Sequence, residues 1–87
     1  MAGENEKLKT LLLLAESLSR VETDSLRQAF WYGYILGIRR ALHGETYGTS
    51  THNLFHDISE DEPDKNRREI GRGYRTGCRG ECPEELF

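Results

Sequence analysis

Four side chains with metal-binding chemistry form two pairs in the second half of the chain. These are His52 with His56 and Cys78 with Cys82, and three residues separate the members of each pair. Residues four positions apart lie on the same face of a helix, so each pair can direct both side chains to one side. Two imidazoles and two thiolates suit tetrahedral zinc. The spacing therefore allows a zinc site that ties the middle of the chain to its C-terminal end.

The same side chains also fit a fold without metal, and we favour this interpretation. Cys78 would then be a small buried apolar residue, and Cys82 would be exposed near the end of the chain. The two histidines would flank a helical turn that buries Leu54 and Phe55. A disulfide between the cysteines is a third alternative, which a reducing compartment disfavours. We expect no cofactor, with zinc as the open alternative.

Basic side chains form a stripe in the last third of the chain. Arg68, Arg72, Arg75 and Arg79 recur at steps of four, three and four, which is the spacing of one helix face. In one interpretation this face contacts the phosphates of RNA or DNA while Tyr74 stacks on a base. In the other, the arginines pair within the fold with the acidic residues at positions 57–64.

The residue types most enriched at protein interfaces occur together in a central stretch, residues 26–44 (LRQAFWYGYILGIRRALHG). Tryptophan, tyrosine and arginine dominate interface hot spots. We therefore predict that the chain binds a protein partner through Trp31, Tyr32, Arg39 and Arg40. A small core with exposed aromatic residues also favours self-association, so we expect a homodimer.

No catalytic group is fixed by a motif. His43 or His56 beside Glu45 or Asp57 could form a base with its orienting acid, and Ser50 or Thr51 could act as the nucleophile. The sequence shows no phosphate-binding loop, nucleophile elbow or metalloprotease helix that would place them. We therefore predict that the protein is not an enzyme.

Apolar residues at three- and four-residue steps predict the helices that position these side chains. A first helix runs up to about Val21 and forms an antiparallel hairpin with a second helix over residues 26–44. Its apolar side consists of Leu8, Leu11, Leu12, Ala15, Leu18 and Val21. Thr23 or Asp24 suits the N-cap of the second helix, and Gly44 suits its end.

Two further helices are predicted in the second half. A short helix from Thr51 to Ile58 would bury Leu54, Phe55 and Ile58. The last helix begins at about Pro63, a residue suited to a first helical turn, and ends at Gly77 or Gly80.

One heptapeptide pattern occurs twice, at residues 33–39 (GYILGIR) and 73–79 (GYRTGCR). In both copies, glycines one turn apart flatten the helix surface and let another helix approach closely. Each glycine costs about 1 kcal/mol of helix propensity relative to alanine, which close packing would offset. We predict that the second and last helices cross near Gly33, Gly37, Gly73 and Gly77.

The last helix also carries a family resemblance. The series Gly73-Tyr74-x-x-Gly77-x-x-Gly80, followed by Cys82-Pro83, resembles the first signature of bacterial ribosome modulation factors. Residues 37–41 (GIRRA) resemble the second signature of that family, in reversed order along the chain. The resemblance implies a small helical protein that docks on ribosomal RNA, with Tyr74, Arg75 and Arg79 near the contact.

Length and composition limit the whole molecule to one small domain. The chain has 87 residues, 36% of them hydrophobic, so its core is modest. We predict an all-α bundle of three longer helices and one short helix over residues 1–87, with flexible ends at 1–3 and 83–87.

Charge and hydropathy give expectations about location and role. The net charge of -3 is too small to imply a general attraction to nucleic acid or membrane. The run of leucines at residues 11–14 is too short to span a bilayer. We therefore expect a soluble cytoplasmic protein with no membrane partner. Short acidic proteins of this kind are frequent among phage and mobile-element inhibitors, which makes that regulatory role one candidate.

Overall fold

The computed structural model describes residues 2–84, which form four helices and contain no strand. The helices are α1 (Ala2–Val21), α2 (Ser25–His43), α3 (Thr49–Phe55) and α4 (Lys65–Cys78). The predicted all-α fold with three longer helices and one short helix is confirmed. The predicted flexible ends lie partly outside the described residues, at Met1 and residues 85–87, whereas Pro83 is buried.

Aspartate side chains cap the N-terminal ends of α2 and α4. The Asp24 carboxylate accepts a hydrogen bond from the backbone N–H of Arg27 at the start of α2. The Asp64 carboxylate accepts from the N–H groups of Asn66 and Arg67 at the start of α4. Since Asp64 is the N-cap, α4 begins at Lys65, and the prediction that it begins at about Pro63 is two residues too early.

The contact between α2 and α4 is built on glycine. A Cβ atom added at Gly33 would lie within 3.0 Å of the Ile70 carbonyl group, and one added at Gly73 would lie within 3.0 Å of the Phe30 carbonyl. Gly37 and Gly77 are equally close to the opposite backbone one turn later. The predicted crossing at the four glycines is confirmed.

The order of these contacts gives the relative direction of the two helices. Gly33 faces the backbone between Ile70 and Tyr74, and Gly37 faces the backbone between Tyr74 and Cys78. Moving forward along α2 therefore means moving forward along α4, so the two helices run parallel. Gly37 and Gly77 lie opposite the other copy of the heptapeptide, and Gly33 and Gly73 lie opposite its start and the turn before it.

The core lies between α1 and α2. Its buried members are Leu11, Ala15, Phe30, Trp31, Tyr34 and Ile38, with Leu8, Leu12 and Leu18 partly buried beside them. Val21, which the apolar stripe placed on this side, is 73% exposed, because it lies about 100° around the helix from the side that carries Leu11 and Ala15. Within residues 2–84, no helix has the length and apolar character that crossing a membrane requires.

Candidate functional site

A concave surface lies between α2 and the loop-and-helix segment that follows it. Leu36 on α2, Tyr47 and Gly48 in the loop, and Thr51 on α3 line a cavity of about 220 Å³ with Tyr74 of α4. We call it the α2–α3 groove. The Arg40 guanidinium donates a 2.9 Å hydrogen bond to the Tyr47 carbonyl, which fixes the loop against α2.

A row of aromatic rings connects Tyr74 of this groove to the protein surface. Tyr32 lies one turn before Leu36 and is 53% exposed. Its ring centroid is 6.0 Å from that of Phe55, edge to face, and Phe55 is 5.9 Å from the buried ring of Tyr74. An exposed tyrosine therefore rests on a row of aromatic rings that continues into the protein, which holds it in place.

The predicted protein-binding residues separate in the structure. Trp31 is 2% exposed and packs against Phe30 and Tyr34, with ring centroids 5.2 and 5.8 Å away. Its assignment to an interface is wrong, because its side of α2 is covered by the core. Arg39 pairs with Glu16 of α1 at 3.5 Å. Tyr32 remains the exposed aromatic residue of the predicted set.

The short helix α3 lies differently from its prediction. It begins at Thr49 and ends at Phe55, so Ile58 lies beyond it, although Ile58 is buried as predicted. Leu54 is 61% exposed, and the prediction that it is buried is wrong. The side of α3 that faces the protein carries Thr51 and Phe55, four residues apart, which turns Leu54 toward solvent.

Two histidines, a tyrosine and a cysteine form a polar cluster at the other side of α3. The rings of His52 and His56 are 4.6 Å apart, and Nδ1 of His52 is 3.0 Å from the Tyr74 hydroxyl. His52, His56 and Cys78 line a cavity of about 230 Å³ together with Arg40, Ala41, Gly44 and Glu45. The structure therefore brings three of the four predicted metal ligands to one cavity.

The protonation states of this cluster favour a structural role. Partial burial, and then the positive charge of Arg40 and the neighbouring His56, lower the pKa of His52. Burial raises the pKa of Tyr74 to about 12. Burial likewise raises the pKa of Cys78, whose thiol interacts with Tyr74. Since His52 is neutral and Tyr74 protonated at pH 7, the tyrosine hydroxyl can donate to Nδ1 and hold α3 on α4.

The fourth predicted ligand, Cys82, lies elsewhere. It lines a separate cavity with Arg72, Thr76, Glu81, Pro83 and Glu84. The Tyr34 hydroxyl donates to the Glu81 carbonyl at 2.8 Å beside it. Across residues 2–84, no three His, Cys, Asp or Glu side chains are grouped so as to hold a metal ion. Zinc binding stays a prediction, and it would require Cys82 to move toward the histidines.

The arginine stripe interacts mostly with groups of the same chain. Arg67 pairs with Glu62 at 3.8 Å, and Arg68 donates to the Glu62 carbonyl at 3.4 Å. Arg75 donates to the Ile58 carbonyl, and Arg79 pairs with Glu81. Arg72 pairs with Glu69 at 2.9 Å and lies 4.2 Å above the Phe30 ring. The arginines therefore interact within the fold, but not as the prediction had it. The acidic partners of Arg72 and Arg79 are Glu69 and Glu81, and Arg68 and Arg75 reach the segment at 57–64 only through backbone carbonyls.

The residue predicted to stack on a base, Tyr74, is buried in the structure. Tyr74 is 1% exposed, since its ring lies beneath α3 and its hydroxyl faces His52. The prediction that it stacks on a nucleic-acid base is therefore wrong for this conformation. The residues Gly73 and Gly77 of the family-like signature lie in the contact with α2. That part of the resemblance coincides with helix packing.

The residues considered for catalysis are scattered. His56 Nδ1 lies 3.3 Å from the Asp57 carboxylate, and both side chains are more than half exposed. The His43 ring lies 4.8 Å from that of Tyr47. Ser50 is exposed and Thr51 faces the α2–α3 groove. The His56–Asp57 pair is therefore largely exposed to solvent.

One exposed surface was missed by the sequence analysis. Leu13, Leu14 and Val21 of α1 are 66%, 47% and 73% exposed, although the helix was assigned to core packing. The signal was present in the four consecutive leucines at residues 11–14. Consecutive residues are about 100° apart around a helix, so four in a row cannot all face one side.

Comparison with known proteins found no matching family model, no matching curated protein and no matching solved structure.

Proposed function

We propose that the chain is a non-enzymatic regulatory module that binds another protein in the α2–α3 groove, with Tyr32 as its principal anchor. The observation that carries this proposal is the half-exposed Tyr32, whose ring contacts Phe55 and through it Tyr74, a residue that lines the concave and mainly apolar groove. Such a combination of aromatic residue and adjoining pocket is typical of binding hot spots.

The size and lining of the groove favour a protein side chain over a small molecule. Its volume of about 220 Å³ is below the roughly 300–1,000 Å³ of most ligand pockets. Leu36, Tyr47 and Tyr74 offer apolar contact, and Thr51 offers a hydroxyl at the rim. We propose that the partner inserts one apolar or aromatic side chain between Tyr32 and Tyr47.

The arginine stripe gives weaker support to the alternative, a module that contacts RNA or DNA. Phosphates would have to replace the pairs that Arg67, Arg72 and Arg79 make with Glu62, Glu69 and Glu81. The carboxylates would also remain close to the incoming phosphates and repel them. As part of the proposal, the protein acts in the cytoplasm, where the free thiols Cys78 and Cys82 stay reduced.

A photo-crosslinking amino acid at position 32 tests the proposal in source cells. We expect one defined protein adduct, identified by mass spectrometry. The same amino acid at Arg27, an exposed position on another side of α2, should not give it. With the purified partner, Tyr32→Ala should weaken binding by about thirtyfold, because a hot-spot residue contributes about 2 kcal/mol.

Salt and nuclease distinguish the two functions. A complex held by the groove should persist at high salt and after nuclease treatment. A complex that is lost under both conditions, and that is weakened by Arg79→Gln but not by Tyr32→Ala, would assign the function to the arginine face instead.

A further inference from the structure

The outer face of α1 carries apolar side chains that the fold leaves uncovered. Leu11 and Ala15 of this helix are buried against α2. Leu13 lies opposite them around the helix, Leu14 and Val21 lie on its flank, and the three are 66%, 47% and 73% exposed. A helix with apolar residues on both sides is typical of one that packs between two neighbours.

The exposed residues follow the spacing of a helix-to-helix contact. Thr10, Leu14, Ser17 and Val21 recur at steps of four, three and four, with Leu13 beside them. None of these side chains is charged. The Thr10 hydroxyl donates to the Glu6 carbonyl at 2.9 Å within α1, so its polar group is already satisfied. We call these five residues the α1 seam.

The central part of the α1 seam is complementary to itself when reversed. About a midpoint between Leu13 and Leu14, these two leucines exchange places and Thr10 exchanges with Ser17, whereas Val21 comes opposite Glu6. The charged residues beside the seam are also exchanged. Glu6 and Arg20 are fourteen residues apart on the same side of the seam, so an antiparallel copy would place the Glu6 carboxylate of each chain near the Arg20 guanidinium of the other.

We infer that two copies of this chain associate through the α1 seam, with the two α1 helices antiparallel. Leucine side chains of both copies meet at the centre, and a Glu6–Arg20 ion pair closes each end. The arrangement is isologous, as expected for a two-fold dimer. It goes beyond the proposed function, because neither Tyr32 nor the α2–α3 groove takes part in it.

Sedimentation over a roughly hundredfold range of concentration tests this inference. The wild-type protein should shift from monomer to dimer as the concentration rises. Leu13→Glu should raise the dissociation constant at least about tenfold, because it buries a carboxylate at the centre of the seam. Since Leu13 is exposed in the monomer, circular dichroism should show unchanged helix content.

Leu54→Glu is the matched control. Leu54 is 61% exposed, like Leu13, but lies on α3, so this variant should dimerise as the wild type does. Glu6→Arg should weaken the dimer, because the new guanidinium would repel Arg20 of the other copy. Adding Arg20→Glu should restore the dimer. A wild type that stays monomeric at every concentration, or a dimer that survives Leu13→Glu, would overturn the inference. A dimer lost with Leu54→Glu alone would place the interface on α3 and equally overturn it.

Discussion

Two tyrosines at equivalent positions of the repeated heptapeptide show how single residues organise this fold. Tyr34 and Tyr74 are both fully buried, and each hydroxyl finds a partner outside the helix pair. Tyr34 donates to the Glu81 carbonyl, and Tyr74 contacts His52. Burial raises the pKa of both phenols above the usual value, so they remain protonated. Each therefore fastens a peripheral segment to the central helices.

The surroundings of His52 make stability depend on pH. The pKa of His52 is lowered below its usual 6.5, first by burial and then by Arg40 and His56, with Asp57 opposing the shift. Below about pH 6.5 the unfolded chain therefore binds the proton more readily than the folded chain. The free energy of unfolding should fall as the pH decreases from about 7.5 to 5.5, and the full contribution should be present at the higher pH.

Urea unfolding of His52→Gln at both pH values measures this contribution. We expect a smaller decrease between the two pH values than in the wild type, whatever the variant's stability at pH 7.5. His43→Gln is the control, because it removes a histidine away from Tyr74, and its decrease should match that of the wild type. An equal decrease in His52→Gln would show that other groups cause the pH dependence.

Whether a particular side chain is buried was the property that could be predicted least well from the sequence. Trp31 and Tyr32 are adjacent aromatic residues, yet one is 2% and the other 53% exposed. The reason is that α2 packs against α1 on one side and α4 on another, which makes most of its circumference apolar. A periodic pattern predicts one buried face well, but it cannot assign residues on a helix that has two.

At the scale of helices, the contact between α2 and α4 was predictable because its signal is local. Glycines one turn apart occur in both copies of the heptapeptide, and each lies against the backbone of the other helix. The bounds of α3 were less predictable. Gly48, in the left-handed region with a φ of 61°, precedes α3. The helix then packs through Thr51 and Phe55, and this contact forms only in the folded chain.

Substitution of Gly33 by alanine tests the importance of the close contact between α2 and α4. Alanine gains about 1 kcal/mol of helix propensity, but its Cβ would meet the Ile70 backbone, which cannot rotate away. Forced separation of packed elements typically costs about 1–3 kcal/mol and occasionally more. Because the added Cβ would overlap a backbone carbonyl group, we expect the upper end of this cost, about 3 kcal/mol, and hence a net loss of about 2 kcal/mol in the free energy of urea unfolding, with a similar loss for Gly73→Ala.

Gly48→Ala provides the comparison for this substitution. Only the Thr51 side chain comes within 4.0 Å of a Cβ added there, so the cost should be about 1 kcal/mol, from the left-handed φ alone. A Gly33→Ala protein as stable as the wild type would mean that the two helices can separate without loss, contrary to the contact described above.

For the whole molecule, the sequence predicted which helices meet but not their relative direction. The parallel arrangement of α2 and α4 depends on the segment of residues 44–64, which returns the chain to the start of α2 before α4 begins. That segment carries α3 and places Phe55 and His52 against Tyr74. The α2–α3 groove is thus a product of the chain path, and its lining residues come from three separate parts of the sequence.

This architecture predicts an unequal distribution of stability. The pair α2 and α4 forms the most extensive contact, whereas α1 packs chiefly on α2 and α3 has a small contact with α4. Amide hydrogen exchange should therefore be slowest in α2 and α4, at rates that reflect global unfolding. Exchange in α1 and α3 should be faster, through local opening that leaves the glycine contact intact.

Hydrogen exchange measured at several protein concentrations separates local opening of α1 from the effect of self-association. In the Leu13→Glu protein, α1 should exchange faster than α2 at every concentration. In the wild type, protection of α1 should increase as the protein is concentrated, because pairing through the α1 seam stabilises the closed helix by mass action. Protection in α3 should not change. If α1 is as protected as α4 in dilute Leu13→Glu protein, the fold is a single cooperative unit and the unequal distribution of stability is wrong.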